Sequence, residues 1–384
     1  MTNCKITMTQ PTPKLLIRLA SSNDLEPLLA LENRCFEGDK LNRRSFRHFL
    51  RGQHSCCLVA EKQQQIIGYI LLLFRRGSSL ARIYSLAVDN DQRGQGVARQ
   101  LLQSGEQSAI ERQRLFIRLE VRVDNPAAIA LYQADGYHEF DQEDNYYEDG
   151  ASALRLEKAL SPQPVSRAKA GVFYRQTTPF SCGPAALMMA MHSLDPNSCE
   201  LSRRTEMQLW REATTIFMTS GHGGCSPEGL ALSAWQRGFE VTLYLQCKEI
   251  PFIAGVRDSR KKQVIELVHE DFIQRIGETD IVLSPRAITP AQFQAHVDAG
   301  DALVTLISTW QLSRDKAPHW VFISDSDPQF VYLNDPDPDE EGHHPAHDSI
   351  HLPIGRRNFE RMACFGNSRL KATLVLAAKK HCIG

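Results

Sequence analysis

Apolar and polar positions along the first 160 residues predict strands and helices in alternation. Runs of β-branched and aliphatic residues favour strands at 14–21, 57–60, 66–74, 81–88, 116–123, 137–147 and 151–160. Apolar residues at helical spacing favour helices after residue 22 and at 44–51, 97–110 and 125–134. Helices interleaved with strands predict a mixed α/β domain over residues 14–160.

One turn in this domain has a composition that favours ligand binding. An apolar run ends at Val88, polar and glycine residues follow, and helical spacing begins at Val97. A strand, turn and helix in this order direct unpaired backbone amides and the positive end of a helix at one spot, which favours phosphate. Gly94 and Gly96 remove side chains that would block close approach, and Arg93 adds a positive charge. The turn lacks the Gly-Lys-Ser/Thr of a P-loop and is a poor dinucleotide fingerprint.

Three motifs in this domain are similar to those of a known enzyme family. Arg93-Gly94-Gln95-Gly96-Val97-Ala98 resembles the arginine/glutamine-x-x-glycine-x-glycine/alanine signature of the GNAT acetyltransferases. Leu119-Glu120-Val121-Arg122-Val123 and Asn125-Pro126-Ala127-Ala128-Ile129-Ala130-Leu131-Tyr132, with Gly136-Tyr137, resemble the ribosomal-protein alanine N-acetyltransferases of the RimI type within that family.

This resemblance implies acetyl-CoA as co-substrate, with its pyrophosphate on the turn formed by residues 93–98. It implies that Asn125 contacts the CoA arm, and that the backbone of Leu86, Ala87 and Val88 holds the pantetheine and thioester as an added strand. It further implies that Glu120 is the general base and Tyr132 the general acid. The chemistry agrees, because an amine must lose a proton before it attacks a thioester, and the departing thiolate gains from a phenol donor.

Length, charge and cysteine usage narrow the class of protein. A chain of 384 residues favours two domains, and 44 Lys and Arg residues against 45 Asp and Glu residues give no reason to expect nucleic-acid or membrane partners. The polar residues 1–13 show no signal peptide, and the longest apolar run, 66–74, is too short to span a bilayer. None of the ten cysteines forms a Cys-x-x-Cys pair, so we expect reduced thiols in a cytoplasm.

The second half of the chain carries a different set of chemical residues. Residues 161–170 are polar and contain prolines, which predicts a linker before a second domain at 171–384. Cys182 begins a buried helix, a position that favours the thiolate, and Gln176 lies upstream as a candidate oxyanion donor. His319 starts a strand and Asp335 ends the next, so a hairpin would place both on one edge. The separation of Cys182 from His319 is typical of papain-like enzymes.

This set resembles the papain-like peptidases that cut double-glycine leaders from bacteriocin precursors. The resemblance implies that Cys182 is the nucleophile, His319 its base and acid, Asp335 the residue that orients His319, and Gln176 the oxyanion donor. Cys225, in a glycine-rich loop, is a rival nucleophile. His343, His344, His347 and His351 invite a metal interpretation, but a solvated loop accounts for them better, and we expect no metal.

The sequence thus predicts a two-domain α/β (α+β) protein, with a GNAT mixed sheet flanked by helices followed by a papain-like cysteine peptidase fold. The predicted function is acetyl-CoA-dependent N-acetylation of a protein or peptide amine, with an N-terminal amine favoured, and a second, cysteine-peptidase-like domain that cleaves or binds a peptide. Two alternatives stay open: an acetyltransferase whose second domain is an inert peptide-binding module, and a non-enzymatic regulator that responds to CoA. The sequence carries no signal for an oligomeric state.

Overall fold

The chain divides into two compact units. The computed structural model describes residues 15–160, 172–214, 223–314, 316–337 and 346–378. Its contacts group Met1–Arg75 with Ser79–Pro162, and Arg76–Ser78 with Gln163–Gly384. The predicted linker at 161–170 lies outside the described residues.

The first unit is built on a seven-stranded sheet with the order β1-β2-β3-β4-β5-β7-β6. Its strands are β1 (Leu16–Leu19), β2 (Ser55–Lys62), β3 (Gln65–Phe74), β4 (Leu80–Val88), β5 (Phe116–Arg122), β6 (His138–Glu143) and β7 (Ala153–Ala159). Its helices are α1 (Leu25–Cys35), α2 (Arg43–Arg51), α3 (Val97–Glu111) and α4 (Pro126–Ala134). Neighbouring strands pair antiparallel except β4 and β5, which are parallel.

Helices cover both faces of this sheet. Alternate residues of β3 point to opposite sides, so Ile70 and Leu72 pack with Leu101 of α3. Tyr69 and Leu71 pack on the other face with residues of α1 and α2. Burial on both faces explains why β3 reads as a continuous apolar run rather than an alternating one.

The parallel strands β4 and β5 stay together only at their beginnings. Within the described residues they pair from Leu80 with Phe116 to Arg82 with Arg118, and no further. β4 nevertheless remains paired with β3 as far as Val88, and β5 remains paired with β7 throughout. The two strands therefore open a wedge, in which the β5-facing edge of β4 beyond Arg82 has no strand partner.

The second unit holds another seven-stranded sheet, with the order β13-β12-β11-β10-β14-β8-β9. Its strands are β8 (Glu240–Gln246), β9 (Val282–Ser284), β10 (Ala302–Ser308), β11 (Pro318–Ser326), β12 (Phe330–Asn334), β13 (Leu352–Gly355) and β14 (Lys371–Ala377). Its helices are α5 (Cys182–Leu194), α6 (Arg203–Ala213), α7 (Pro227–Gln236), α8 (Ser259–Gly277), α9 (Pro290–Asp298) and α10 (Arg356–Met362).

The core of the second unit lies around α5. Every residue of this helix from Cys182 to Met191 is buried. Val304 of β10 and Phe322 of β11 belong to the same core. A helix that is apolar on all sides must be covered on all sides, and α6, α7 and the sheet supply that cover.

The predicted fold class is confirmed for both units. β11 and β12 form the expected hairpin, which brings His319 and Asp335 to one edge. The strand predicted at 137–147 is too long, because β6 ends at Glu143 and a loop precedes β7. Every helix in the described ranges is too short or too polar to cross a lipid bilayer.

Two candidate active sites

The predicted phosphate-binding turn is a tight bend between β4 and α3. Gly94 and Gly96 have φ angles of 76° and 75°, in the left-handed region that favours glycine. At neither position would an added Cβ meet a heavy atom within 4 Å, so conformation rather than crowding requires glycine. α3 starts at Val97 without a side-chain cap, which leaves its first amides available to an anion.

The surroundings of this turn add charge that the sequence did not predict. In the described part of the chain, the amides of Gly94, Gln95 and Gly96 donate to no acceptor. Lys62 of β2 donates from Nζ to Oε1 of Gln92 at 3.2 Å and to Oε1 of Gln95 at 3.0 Å. Lys62 therefore places a second cation beside the turn, next to Arg93, although it is distant in sequence.

Glu120 lies on β5 beyond the last residue that pairs with β4, at the opening of the wedge. Arg82 donates from Nε and Nη2 to Glu120 Oε2 at 2.8 and 2.6 Å. The same Nη2 donates to the hydroxyl of Tyr146 at 2.9 Å. Both side chains of the ion pair are nearly buried, at 7 % and 5 % exposure. The guanidinium thus fixes the position of the carboxylate and links it to the loop after β6.

Tyr132 lies in α4, and Asn125 directly precedes that helix. Tyr132 is 7 % exposed and stands edge-on to Tyr137, with ring centroids 5.5 Å apart. Burial raises the pKa of Tyr132, so its hydroxyl keeps the proton that a general acid must supply. Asn125 precedes the helix, and its Oδ1 accepts from the amide of Ala128 at 3.1 Å. Asn125 therefore caps α4, a structural task that the resemblance did not imply.

Two further tyrosines lie near Glu120. Burial is the main reason that the pKa values of Tyr146 and Tyr147 are raised, and the charge of Glu120 adds to it. Tyr132 also raises the pKa of Tyr147. Tyr147 therefore interacts electrostatically with both predicted catalytic residues, Glu120 and Tyr132. The two rings are 5.0 Å apart, and they come from a segment predicted only as strand. In the sequence, two adjacent tyrosines within a polar stretch were the feature that could have indicated residues near the site.

Cys182, His319 and Asp335 meet in the second unit. Cys182 is the first residue of α5, His319 lies at the start of β11, and Asp335 directly follows β12. His319 Nε2 lies 2.7 Å from Asp335 Oδ1, and Cys182 is near enough to His319 to act on the pKa of its imidazole. His319 and Asp335 are 5 % and 4 % exposed. The structure therefore brings the residues predicted as nucleophile, base and orienting carboxylate to one place, with His319 hydrogen-bonded to Asp335.

The charge state of His319 follows from this arrangement. Burial acts to lower the pKa of His319, but the charges of Asp335 and Cys182 and the hydrogen bond to Asp335 outweigh it. The pKa of His319 is consequently raised well above its ordinary value. A protonated imidazole beside a cysteine stabilises the thiolate, which is the reactive form of sulfur.

A backbone hydrogen bond holds the segment of Gln176 beside the loop that carries Asp335. The backbone amide of Gln176 donates to the carbonyl of Pro336 at 2.9 Å. Its side chain is buried at 7 % exposure, and Oε1 has no hydrogen-bond partner among the described residues. A buried amide oxygen without a hydrogen-bond partner is unusual in a protein core. Such an atom is expected where a bound ligand supplies the missing hydrogen bond.

Glu206 of α6 organises the segment between Gln176 and Cys182, and sequence reasoning missed it. Its fully buried carboxylate accepts from the amide and hydroxyl of Thr177 at 2.8 and 2.6 Å, and from Ser181 Oγ at 2.5 Å. The hydroxyl of Tyr174 also donates to it, at 3.0 Å. A glutamate on an amphipathic helix gives no hint of this role, because its partners lie on a distant segment.

Cys225 has the surroundings of a packing residue. It is 2 % exposed, and burial is the main reason that its pKa is raised well above the ordinary value. A Cβ added at Gly183 would lie 3.2 Å from the Cβ of Cys225, so the segments that carry these two residues are in close contact. Cys225 is therefore a protonated core thiol beside the helix of Cys182, and the geometry does not favour it as the nucleophile.

The histidines of the acidic loop fall into two groups. His343, His344 and the side chain of His347 lie outside the described residues. His351 is 2 % exposed, stacks on Tyr332 at 4.5 Å and has Nδ1 3.0 Å from Ser324 Oγ, so it is a core residue rather than part of a solvated loop. Across the described ranges no group of three His, Cys, Asp or Glu side chains is arranged to hold a metal ion.

Comparisons with known proteins match the two units separately. Residues 24–137 match the acetyltransferase (GNAT) family, and residues 172–377 match the Peptidase_C39 like family. An uncharacterized N-acetyltransferase of Methanocaldococcus jannaschii is 32% identical over 145 residues, which cover 38% of this chain and 91% of that protein. The N-alpha-acetyltransferase RimI of Mycobacterium tuberculosis is 29% identical over 155 residues, 39% of this chain and 96% of that protein.

Solved structures match over the first unit. The ribosomal-protein-S18-alanine N-acetyltransferase from Escherichia coli has 25% identity and a TM-score of 0.36, and covers 39% of this chain and 97% of its own. Ard1 from Thermoplasma volcanium has 26% identity and a TM-score of 0.35, and the match covers 38% of this chain and 97% of the Ard1 chain. On the sequence matches, the chain belongs to the acetyltransferase (GNAT) family through its first unit and to the Peptidase_C39 like family through its second.

Proposed function

We propose that the first unit transfers the acetyl group of acetyl-CoA to an amine of a protein or peptide, and specifically to an N-terminal α-amine. The observation that carries this proposal is the wedge between β4 and β5. The turn with free amides at Gly94 and Gly96 directly follows β4, and Glu120 lies on the β5 side. The N-alpha-acetyltransferases among the relatives support the choice of acceptor.

In this mechanism Glu120 takes a proton from the incoming ammonium, directly or through a water. The neutral nitrogen then bonds to the acetyl carbon, the carbon–sulfur bond breaks, and the nitrogen releases a second proton to solvent. Tyr132 donates its proton to the departing CoA thiolate, and solvent restores that proton. The backbone amide of Val88 polarises the thioester carbonyl while negative charge develops on its oxygen.

Substitution of Tyr132 tests the transferase mechanism. We expect Tyr132→Phe to lower kcat for acetylation of a peptide amine by about 100-fold, within the range for loss of a general acid, and to leave acetyl-CoA binding unchanged. Tyr137→Phe removes the hydroxyl of the neighbouring buried ring and serves as the matched control for packing. Equal losses of kcat in the two variants would contradict the role of Tyr132.

We further propose that the second unit is a cysteine peptidase. The supporting observations are the hydrogen bond between His319 and Asp335, and the position of Cys182, which lies near enough to raise the pKa of His319. The Cys182 thiolate would attack a peptide carbonyl, the His319 imidazolium would give its proton to the leaving amine, and water would hydrolyse the thioester. Gln176 would donate to the oxygen that becomes negative during both steps.

Cleavage and acetylation can be measured in one experiment. The whole protein is incubated with acetyl-CoA and a peptide library, and mass spectrometry records both shortened and acetylated peptides. We expect Cys182→Ala to abolish shortening but to leave acetylation of amines already present in the library, and Tyr132→Phe to reduce acetylation but to leave shortening unchanged. Because cleavage creates a new α-amine, we also expect acetyl groups on the cleaved ends; cleaved peptides that stay unacetylated would contradict that link.

The two alternative functions predict different outcomes. If the second unit only binds peptides, Cys182 reacts with iodoacetamide no faster than a free cysteine, and no peptide is shortened. If the first unit is a CoA-responsive regulator, CoA binds tightly, no amine is acetylated, and Glu120→Gln changes nothing. Iodoacetamide labelling of Cys182 and turnover of the Glu120→Gln variant therefore decide between enzyme and binding protein.

A further inference from the structure

A cavity of about 300 Å³ lies in the second unit, where α9 and α10 face the sheet. Its floor is a row of three residues on adjacent strands, since Thr305 of β10 pairs with Thr373 of β14, which pairs with Tyr244 of β8. Val304 and Leu374, their neighbours along the strands, belong to the core around α5. Strand alternation therefore turns the three hydroxyl-bearing residues to the opposite face of the sheet.

The floor is polar although it is buried. Thr305 and Thr373 are 1 % and 5 % exposed, and their hydroxyl oxygens are 3.2 Å apart. Only one proton is used between two such hydroxyls, so the pair has a second proton for a further acceptor. The threonine pair therefore offers a hydroxyl donor on a face whose other lining residues include the apolar rings of Phe293 and Phe359.

Tyr244 is held rigidly at the edge of this floor. Its hydroxyl lies 3.1 Å from Nε2 of His296, and Nδ1 of His296 lies 2.7 Å from Asp301 Oδ2. The tyrosine ring is thus fixed as a wall by a hydrogen-bonded chain that begins on α9. A fixed wall keeps the cavity open, because the ring does not turn inward to fill it.

The remaining walls combine apolar rings with an excess of positive charge. Phe293 of α9 and Phe359 of α10 stand edge to face, with ring centroids 5.6 Å apart. Arg356 and Lys371 line the cavity against a single acid, Glu360. Lys371 projects from the same face of β14 as Thr373, two residues away, so its charge lies next to the hydroxyl pair.

Arg356 is oriented by the protein itself. Its Nε donates to the carbonyl of Asp327 and its Nη2 to Ser326 Oγ, both at 2.6 Å, and Nη2 also contacts Gln294. Nη1 has no acceptor among the described residues. The guanidinium is therefore held in place with one donor nitrogen in reserve, as in sites that recognise carboxylates.

We propose that this cavity binds a small organic carboxylate with an apolar body. The carboxylate is paired with Lys371 and Arg356 and accepts the spare proton of the Thr305–Thr373 pair, while the apolar body lies between Phe293 and Phe359. The volume is at the small end of the range for ligand pockets, which limits the occupant to a free acid or the last residue of a peptide. This site is separate from the proposed peptidase site and does not depend on it.

Calorimetric titration of the full-length protein with phenylacetate tests the proposal. We expect phenylacetate to bind and phenylacetamide, its neutral counterpart, to bind at least tenfold more weakly. Lys371→Met keeps most of the side-chain length, and we expect it to weaken phenylacetate binding about tenfold. Lys248→Met removes an exposed lysine of the same unit and should leave the affinity unchanged. Thr373→Val keeps the side-chain volume and should weaken binding of the acid, because the carboxylate loses a hydroxyl donor.

A short peptide ending in a free phenylalanine carboxylate, compared with its amidated form, identifies the source of the ligand. The proposal is supported if phenylacetate binds more tightly than phenylacetamide, or if the free-acid peptide binds more tightly than its amidated form. Whichever of phenylacetate and the free-acid peptide binds more tightly identifies the class of ligand. The proposal is overturned if acid and amide bind equally, if neither binds at 10 mM, or if Lys371→Met binds phenylacetate like the unchanged protein. The melting temperature of each variant, measured in parallel, separates lost binding from lost folding.

Discussion

At the scale of single residues, charge and hydrogen bonding decide what each candidate can do. His319 is held between the carboxylate of Asp335 and the sulfur of Cys182, and its raised pKa results from those two neighbours. Glu120 is similarly held by the guanidinium of Arg82. The order of Cys182, His319 and Asp335 was predictable from motifs, but the pairing of Arg82 with Glu120 was not, because it joins two strands across the sheet.

The raised pKa of His319 leads to a prediction about cysteine reactivity. A raised pKa keeps the His319 imidazole protonated to higher pH. A protonated imidazole beside a cysteine makes the sulfur more reactive. Asp335→Asn removes the charge that raises this pKa, so the imidazole becomes neutral at lower pH. We expect the variant to react with iodoacetamide about tenfold more slowly at pH 7, measured by mass spectrometry of the Cys182 peptide.

The buried Cys225 provides an internal control in the same digest. Because burial keeps it protonated, it should remain unlabelled in both proteins while they are folded. Equal rates for the two proteins between pH 6 and pH 8 would show that Asp335 does not set the charge of His319.

At the scale of elements, caps and turns set the geometry of both sites. α3 begins after two glycines with left-handed backbone, whereas α5 begins at Cys182 after a segment that Glu206 holds. Glycine spacing is visible in a sequence, so the turn was predictable. The role of Glu206 was not, since hydrogen bonds between a helix and a distant loop leave no periodic pattern.

The turn before α3 should tolerate no side chain at its two glycines. A residue other than glycine in the left-handed region costs about 1–2 kcal/mol, so Gly94→Ala and Gly96→Ala should each lower stability by about that amount. Relaxation of the strain would also move the free amides, so we expect the KM for acetyl-CoA to rise severalfold. Thermal unfolding and steady-state kinetics measure the two effects.

Gly38 is the matched control for this prediction. It also has open space around a built Cβ, but its φ is not positive. Gly38→Ala should therefore change neither the melting temperature nor the KM for acetyl-CoA. A loss of stability as large as that of Gly94→Ala would mean that backbone strain is not the cause.

Glu206→Gln tests the element contact that precedes α5. The amide offers one acceptor oxygen where the carboxylate offers two, so several of the donors from Tyr174, Thr177 and Ser181 lose a partner. We expect a loss of about 2–3 kcal/mol in the free energy of unfolding, measured with urea. Labelling of Cys182 by iodoacetamide should also become slower.

Glu212→Gln on the same helix is the control. Glu212 is exposed and pairs with Arg237 at 2.7 Å, an interaction worth about 0–1 kcal/mol at a surface. If both glutamate variants cost the same free energy, the buried network around Glu206 does not stabilise the segment that leads to Cys182.

At the scale of the whole molecule, the described residues include two seven-stranded sheets, one in each unit, and each sheet packs against apolar residues of its own unit. Units with separate cores are expected to unfold as separate cooperative blocks. The cavity beneath α9 and α10 belongs to the second unit alone, and it arises from the packing of elements that motif analysis did not predict.

Calorimetry of the whole protein should therefore show two transitions. Acetyl-CoA at about 100 times its Kd should stabilise the unit that binds it by about 2.7 kcal/mol and raise the melting temperature of one transition only. Phenylacetate should raise the melting temperature of the other transition, that of the second unit. A single transition that moves with both ligands would show that the two units unfold together.

The sequence by itself determined the two-domain α/β class, the strand–turn–helix around Gly94 and Gly96, and the order of Cys182, His319 and Asp335, because periodicity, glycine spacing and helix-start chemistry are local properties. Only the tertiary structure decided which charges meet: Lys62 with the glycine turn, Arg82 with Glu120, and Glu206 with the segment before α5. Those contacts join residues far apart along the chain, and their partners are fixed by strand register and helix packing, which no local pattern encodes.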